Sequence, residues 1–182
     1  GMSQYSRNER NANAGIVVGI TPDDYPGHVL AGIDFQRKWE SRAYELGGGN
    51  YDAPVQLVGD FVAGKPSTAF GTVLPSFKPG VLLTDLATAL PDYAIAAMRE
   101  ALPAFDRTIP GFFMADALLT AVETRTSSPI RIKRRDDDLQ SLNTNGLFPA
   151  GEGAGYAGGI MSAGIDGIRV AEAVALSISL PK

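Results

Sequence analysis

The fold is decided by residues 146–160, which read GLFPAGEGAGYAGGI and lead directly into a helical pattern over residues 161–178. Gly153, Gly155 and Gly158 form a Gly-x-Gly-x-x-Gly motif between an apolar segment and a helix, an arrangement that normally opens a dinucleotide-binding βαβ unit. Such a unit continues with a second strand that ends in an acidic residue about 20 positions later. Only 24 residues follow Gly158, and the predicted helix takes them up. The motif is therefore expected to close a nucleotide-binding domain whose opening Rossmann βαβ half is absent from this chain.

The glycine content of this region requires a physical reason. Eight of the 22 residues from 146 to 167 are glycine, which loses more backbone entropy on folding than any other residue. Between Gly151 and Gly158, glycine permits positive φ and lets N–H groups approach an anion or a flavin, which the helix dipole also attracts. The alternative is that every glycine serves turn geometry and packing alone, because a single fingerprint match is weak.

The helix that follows is predicted to be half buried against a sheet. Gly159, Ala163 and Gly167 recur every four residues and predict a smooth stripe on which another backbone packs closely. The opposite face is polar and is predicted to face solvent; its members are Ser162, Asp166, Arg169 and Glu172. Within that face, Asp166 and Arg169 are spaced for an ion pair.

Glu152 is the one charged residue between the glycines of this loop. A phosphate would repel its carboxylate, but the hydroxyl groups of a ribityl chain or a ribose can donate hydrogen bonds to it. Its alternative role is to cap free N–H groups at the start of the helix.

The rest of the chain predicts strands and helices in an irregular order, which favours an α+β fold. Strand-like segments are expected at residues 15–20, 55–62 and 147–150, with an extended segment at 124–133 and a hairpin tip at 134–138. Helices are expected at residues 29–46, 81–90, 92–102, 113–122 and 161–178. The predicted domains are a polar lead-in at 1–14, a substrate or cap-like α+β region at 15–142, and a closing strand-loop-helix at 143–182.

Composition excludes several classes of function. The net charge of −4 with mixed signs disfavours a nucleic-acid partner, which would need clustered Lys and Arg. The chain has no cysteine and one histidine, His28, so disulfides, thiolate sites and histidine-rich metal clusters are excluded and no metal is expected. No apolar run approaches 18 residues and no secretory leader is present, so a cytoplasmic protein without a membrane segment is expected.

Residues 144–160 strongly resemble the C-terminal flavin-binding motif of flavoproteins with two dinucleotide-binding domains, and most of all the group of uncharacterised bacterial FAD-dependent dehydrogenases. Residues 11–18, 58–61 and 125–132 are also similar to that group. Several separated motifs in the right order are more specific than one glycine loop. The chain therefore resembles the C-terminal portion of a longer flavoprotein.

The resemblance implies an FAD-dependent oxidoreductase with a small-molecule substrate, possible oligomers, and FAD bound in the full-length protein. In that family the acid of the Gly-Glu pair contacts the ribityl chain or the diphosphate, and the helix start faces the pyrimidine ring of the flavin. The positions that match these cofactor-binding roles are Gly151, Glu152, Gly153, Gly155, Gly158, Gly159 and Ile160. The family's N-terminal Gly-x-Gly-x-x-Gly is missing here, so the isolated chain is expected to be inactive.

Arg125, Ser127 and Ser128 are further candidates, because an arginine with two hydroxyls can hold a carboxylate or the edge of a flavin. The alternative is that the hydroxyls terminate a strand and Arg125 extends into solvent. No catalytic residue is identified, so the flavin is expected to carry the chemistry. The alternative function is a non-catalytic regulatory or small-anion-binding module with a flavoprotein-like glycine loop.

Overall fold

The computed structural model describes residues 4–179 and divides the chain into two compact units. Unit 1 consists of Gly1–Thr21 and Arg37–Val122, and unit 2 consists of Pro22–Gln36 and Glu123–Lys182. The α-helices are α1 (Ala31–Leu46), α2 (Val58–Ala63), α3 (Asp92–Thr108) and α4 (Ile160–Ser179). The strands are β1 (Ala53–Leu57), β2 (Val81–Leu83) and β3 (Leu118–Thr120), and short 3₁₀-helices cover Pro22–Asp24, Leu86–Thr88 and Glu152–Ala154. The predicted α+β class is confirmed.

The sheet of unit 1 has β1 at its centre. β2 pairs with β1 in parallel, with Val55 opposite Leu83, and β3 pairs antiparallel, with Val55 opposite Thr120. The first four residues of β1 are buried. A buried strand must pair its N–H and C=O groups on both edges, and β2 and β3 satisfy that requirement.

An apolar cluster forms the core of unit 1. Its buried members are Val58, Phe61, Leu86, Ala89, Ile95, Met98 and Leu102. Three of them, Ile95, Met98 and Leu102, lie on one face of the amphipathic helix α3. Arg99 on the same helix donates a 2.8 Å hydrogen bond from Nε to the carbonyl of Phe61 and so ties α3 to α2.

Three predictions in unit 1 are wrong. Residues 15–20 form no strand; Ile16 and Val18 pack against the core, whereas Val17 between them is exposed. Residues 81–90 and 113–122 are not helices, because each range supplies a neighbour strand to β1. Strand pairing with a buried partner overrides a local helical pattern.

Of the other elements predicted up to residue 122, two have different boundaries in the structure and one is confirmed. The strand expected at 55–62 ends at Leu57, where α2 begins, and the helix expected at 92–102 continues through Pro103 to Thr108. The helix expected at 29–46 is confirmed as α1. It ends before Gly48 and Gly49, whose φ values of 92° and 72° suit glycine.

In unit 2 the predicted hairpin and the predicted C-terminal helix are confirmed. An antiparallel bridge joins Arg134 and Ser141 around the hairpin tip, and the helix is α4. The strand expected at 147–150 is wrong, because these residues have no regular structure and Leu147 is exposed. Pro149 has no N–H group and cannot continue a ladder.

In the part of the chain that the structure describes, no helix combines the length and the apolar character that a membrane span requires.

Candidate functional site

The glycine loop, residues 151–159, connects the segment after the hairpin to α4. Backbone conformation and close packing require glycine at two positions of the loop. Gly151 (φ 65°, ψ −155°) and Gly155 (φ 80°, ψ 24°) lie in conformations that favour glycine. A Cβ atom at Gly155 would also lie 2.6 Å from the carbonyl oxygen of Ile130. Turn geometry and close packing therefore explain these two positions.

The remaining glycines of the loop are different. Gly153, Gly158 and Gly159 are exposed, and none has a left-handed φ. A Cβ at Gly153 would meet no described atom within 4 Å, and one at Gly158 would meet only Ser127 Oγ at an ordinary 3.5 Å. Among the described residues, neither backbone conformation nor packing requires glycine at 153 or 158.

The predicted packing stripe on α4 is wrong. Gly159 is exposed, and a Cβ at Gly167 would meet nothing within 4 Å in the part of the chain that is described. Ala163 is half-buried and faces Gly151, where an added Cβ would lie 3.8 Å from its own Cβ. The small residues of α4 therefore do not bring another backbone into close contact.

Asp166 is not on the solvent face, and its predicted pairing with Arg169 is replaced by another partner. Only 9% of Asp166 is exposed, whereas Ser162, Arg169 and Glu172 are exposed as expected. Its Oδ1 accepts a 2.6 Å hydrogen bond from Nη2 of Arg134, and its Oδ2 accepts one of 2.9 Å from Nη1. This partner lies 32 residues earlier in the chain, where helical periodicity cannot reveal it.

A third hydrogen bond to Asp166 comes from the glycine loop. The N–H of Gly151 donates to Oδ2 at 2.8 Å. The hydrogen bonds from Arg134, and next those from Gly151, lower the pKa of Asp166 from 3.8 to about 2, although burial opposes the shift. The carboxylate is therefore ionised throughout the neutral range.

Arg134 also contacts the chain just before the glycine loop and within it. Its Nη1 donates to the carbonyl of Pro149 at 2.7 Å, and its backbone N–H donates to Tyr156 Oη at 2.9 Å. Its Cζ lies 3.8 Å from the centre of the Tyr156 ring, a cation–π distance. The hydrogen bonds to Asp166 raise the pKa of Arg134 further, so its charge is permanent.

The segment that carries two predicted hydroxyl candidates runs along the glycine loop. Ser128 Oγ lies 3.3 Å from the carbonyl oxygen of Gly153, and Ser127 lies beside Gly158. The N–H of Ile132 donates to the carbonyl of Ala154 at 3.1 Å. Ser127 is exposed and Ser128 is half-buried, while Arg125 is exposed.

Glu152 and Ile160 are both exposed at the surface of the loop. Glu152 begins the short 3₁₀-helix Glu152–Ala154, where no side chain makes a capping hydrogen bond. The start of α4 is instead stabilised by Ser162, whose Oγ accepts from the N–H of Gly159 at 3.1 Å. The Glu152 carboxylate therefore does not cap α4 in this structure.

Among the described residues, no three His, Asp or Glu side chains are close enough to hold a metal ion.

The chain combines a mixed α+β fold with an exposed glycine loop that leads into a long helix. Residues 1–126 match the family described as "FAD-dependent protein, C-terminal domain-like", and the chain belongs to that family. The expected resemblance to the C-terminal region of an FAD-dependent protein is thus confirmed. The family match ends before Gly151, so membership rests on residues that precede the glycine loop.

A protein from Clostridium beijerinckii, described as uncharacterised, is 50% identical to this chain over 183 residues. The alignment covers 100% of this chain and 34% of that protein. The chain therefore spans about one third of the length of this curated relative.

Proposed function

We propose that this chain is the C-terminal part of an FAD-dependent oxidoreductase of the dehydrogenase type, in which the glycine loop and the start of α4 bind the flavin. One observation carries the proposal. In a chain of an FAD-dependent family, Gly153 and Gly158 are exposed glycines in the loop that leads into a 20-residue helix, and among the described residues neither turn geometry nor packing requires glycine at these positions. Close approach of a ligand to the backbone is a physical reason for glycine at such positions.

The residues at the loop fit a flavin. Gly153 and Gly158 are exposed and carry no side chain, so a ligand can approach their backbone closely. The first N–H groups of α4 have no acceptors within the helix and carry its positive dipole end. The exposed Glu152 carboxylate can accept hydrogen bonds from ligand hydroxyls.

The proposed roles divide between side chain and backbone. Glu152 accepts hydrogen bonds from the ribityl chain, and the backbone of Gly158, Gly159 and Ile160 faces the pyrimidine ring. Gly151, Gly153 and Gly155 shape the loop that lets the backbone come close.

Ser127, Ser128 and Arg125 are proposed to lie at the edge of the flavin or to bind a substrate carboxylate. The position of Ser127 beside Gly158 and of Ser128 beside Gly153 supports this role for the hydroxyls. When bound, FAD supplies hydride or electron transfer, and the protein supplies position and electrostatics.

In this proposal, residues 15–142 form the substrate or cap-like region and residues 143–182 close the flavin domain. The ADP half of FAD is bound by a segment outside these 182 residues, in a longer protein of the kind that the Clostridium relative represents. The isolated chain is then expected to bind FAD weakly and to be inactive.

The test uses the natural gene product that contains this chain, purified with its flavin. Glu152→Ala is expected to raise the dissociation constant for FAD by roughly tenfold or more, because hydrogen bonds to a charged group are lost. The matched control is Glu172→Ala, because Glu172 is an exposed acid on α4 outside the glycine loop. This variant should leave FAD affinity unchanged. Equal FAD affinity in both variants would remove Glu152 from the binding site.

A wild-type protein that is colourless and gains no thermal stability from FAD would refute the proposed function. If inorganic phosphate stabilised that same protein, the alternative of a small-anion-binding module would be supported.

A further inference from the structure

The ion pair of Asp166 and Arg134, here called the clasp, connects three separate pieces of unit 2. Arg134 lies on the hairpin and Asp166 lies on α4, and together they hold the segment between those elements. Their side chains are 8% and 12% exposed, so the pair is buried. None of the residues that the sequence nominates for cofactor binding belongs to it.

The clasp contacts the chain on both sides of residues 152–155, which include the candidate flavin contacts Glu152 and Gly153. On the entering side, Asp166 accepts from the N–H of Gly151 at 2.8 Å and Arg134 donates to the carbonyl of Pro149 at 2.7 Å. On the leaving side, Tyr156 Oη accepts from the N–H of Arg134 and the Tyr156 ring packs on its guanidinium. Residues 152–155 lie between these two fixed points.

The chemistry of the contact at position 166 requires a carboxylate. Three hydrogen bonds reach Asp166, two from the guanidinium of Arg134 and one from Gly151, and they are shared between two oxygens. An asparagine offers one acceptor oxygen and turns an NH₂ group towards donors. Bidentate pairing between arginine and a carboxylate also sets orientation more strictly than a single hydrogen bond does.

We propose that Asp166 is a positioning residue for the glycine loop: through Arg134 and the N–H of Gly151 it holds residues 152–155 in the conformation that binds the flavin, without touching the flavin. This inference rests on the proposed function for its ligand. It rests on the geometry of unit 2 for its mechanism. It predicts that a buried residue of α4, without contact to the ligand, controls flavin affinity.

The experiment compares Asp166→Asn with Asp138→Asn in the natural FAD-loaded gene product. Asp138 is the matched control because it forms an ion pair with Arg135 on the same hairpin, 2.5 Å between Nη2 and Oδ2, and makes no hydrogen bond to the glycine loop. Asp166→Asn is expected to raise the dissociation constant for FAD roughly tenfold and to shift the visible absorption of the bound flavin. Asp138→Asn should change neither measurement.

Amide hydrogen exchange on the flavin-free protein tests the clasp without the ligand. Asp166→Asn should speed exchange at Gly151 and Tyr156 while the amides of α3 keep wild-type protection. If Asp166→Asn fails to fold, Arg134→Lys replaces it, since it keeps the charge but loses the bidentate geometry. Asp166→Glu should recover part of the FAD affinity, because it restores a carboxylate.

The outcomes separate the two proposals. Wild-type protein that binds no FAD removes the proposed function and the flavin role of the clasp with it. Wild-type protein that binds FAD, with Asp166→Asn matching it in FAD affinity and flavin absorption, leaves the proposed function intact and overturns the positioning role. Unchanged exchange at Gly151 in Asp166→Asn overturns the clasp itself.

Discussion

The two units differ in how many apolar side chains they bury. Unit 1 has a contiguous apolar cluster around Phe61 and the inner face of α3, and it also buries the polar Gln56 and Ser67. Among the described residues of unit 2, the buried hydrophobic side chains are Ala154 and Val170, and the buried polar ones are Ser141 and Asp166. Unit 1 is thus held mainly by non-directional burial, whereas unit 2 depends on hydrogen bonds with defined partners and geometry.

Helices α3 and α4 carry this difference. α3 turns its apolar residues inward onto the core. α4 buries Val170 and Asp166 but leaves several large apolar side chains exposed, namely Ile160, Met161, Ile165, Ile168, Leu176 and Ile178. A helix that is rich in apolar residues is therefore not always packed on every side.

The largest expected effect comes from breaking the clasp. Asp166→Ala leaves Arg134 buried without its counter-charge and Gly151 without its acceptor, so we expect it to lower the free energy of unfolding of unit 2 by about 3–5 kcal/mol. Urea denaturation followed by a probe in unit 2 measures this. Glu172→Ala, on the exposed face of α4, should cost less than about 0.5 kcal/mol. A similar small loss for both variants would contradict the contrast between the units.

The second effect is a dependence on acid. The pKa of Asp166 is lowered from 3.8 to about 2, so the stability it contributes is fully present above about pH 4 and is lost as pH falls through 2. The difference in unfolding free energy between wild type and Asp166→Asn should therefore shrink by about 2 kcal/mol between pH 5 and pH 2. Denaturation midpoints across this range test the prediction, and a constant difference would refute it.

A smaller effect should separate the two kinds of glycine in the loop. Gly155→Ala forces a Cβ into a left-handed conformation beside the carbonyl of Ile130 and should destabilise the protein by about 1–2 kcal/mol. Gly153→Ala meets no described atom and should leave thermal stability within about 0.5 kcal/mol, while it weakens FAD binding. If this is correct, Gly155→Ala is the less stable variant in thermal unfolding, and Gly153→Ala loses FAD affinity while it keeps the stability of the wild type.

The smallest effect is expected on the exposed face of α4. Ile168 is 63% exposed, so Ile168→Ser should change the free energy of unfolding by less than about 0.5 kcal/mol. Val170 lies two positions away and is 6% exposed, so Val170→Ala should lower the free energy of unfolding by about 1–2 kcal/mol. Equal losses at both positions in denaturant unfolding would show that the two faces do not differ.

Local signals in the sequence predict a good part of this structure. The helices α1 and α4, the hairpin around residues 134–138 and the proximity of Ser127 and Ser128 to the glycine loop follow from periodicity, turn residues and the order of motifs. The strands β2 and β3 do not follow, because their identity depends on pairing with β1, which lies more than 20 residues earlier in the chain than either of them. The burial of Asp166 does not follow either, since helical periodicity assigns it to a polar face.

The sequence by itself determined the helices α1 and α4 and the resemblance of the chain to the C-terminal region of an FAD-dependent protein, because these signals lie within a few residues or in a linear motif. Only the tertiary structure decided which apolar segments became strands and which charged residue of α4 turned inward. Each of those outcomes depends on a hydrogen-bonding partner distant in the chain: β1 for the two edge strands, and Arg134 for Asp166. Partner and geometry are properties of the folded chain, and they separate Asp166 from Glu172, the other acid of its helix.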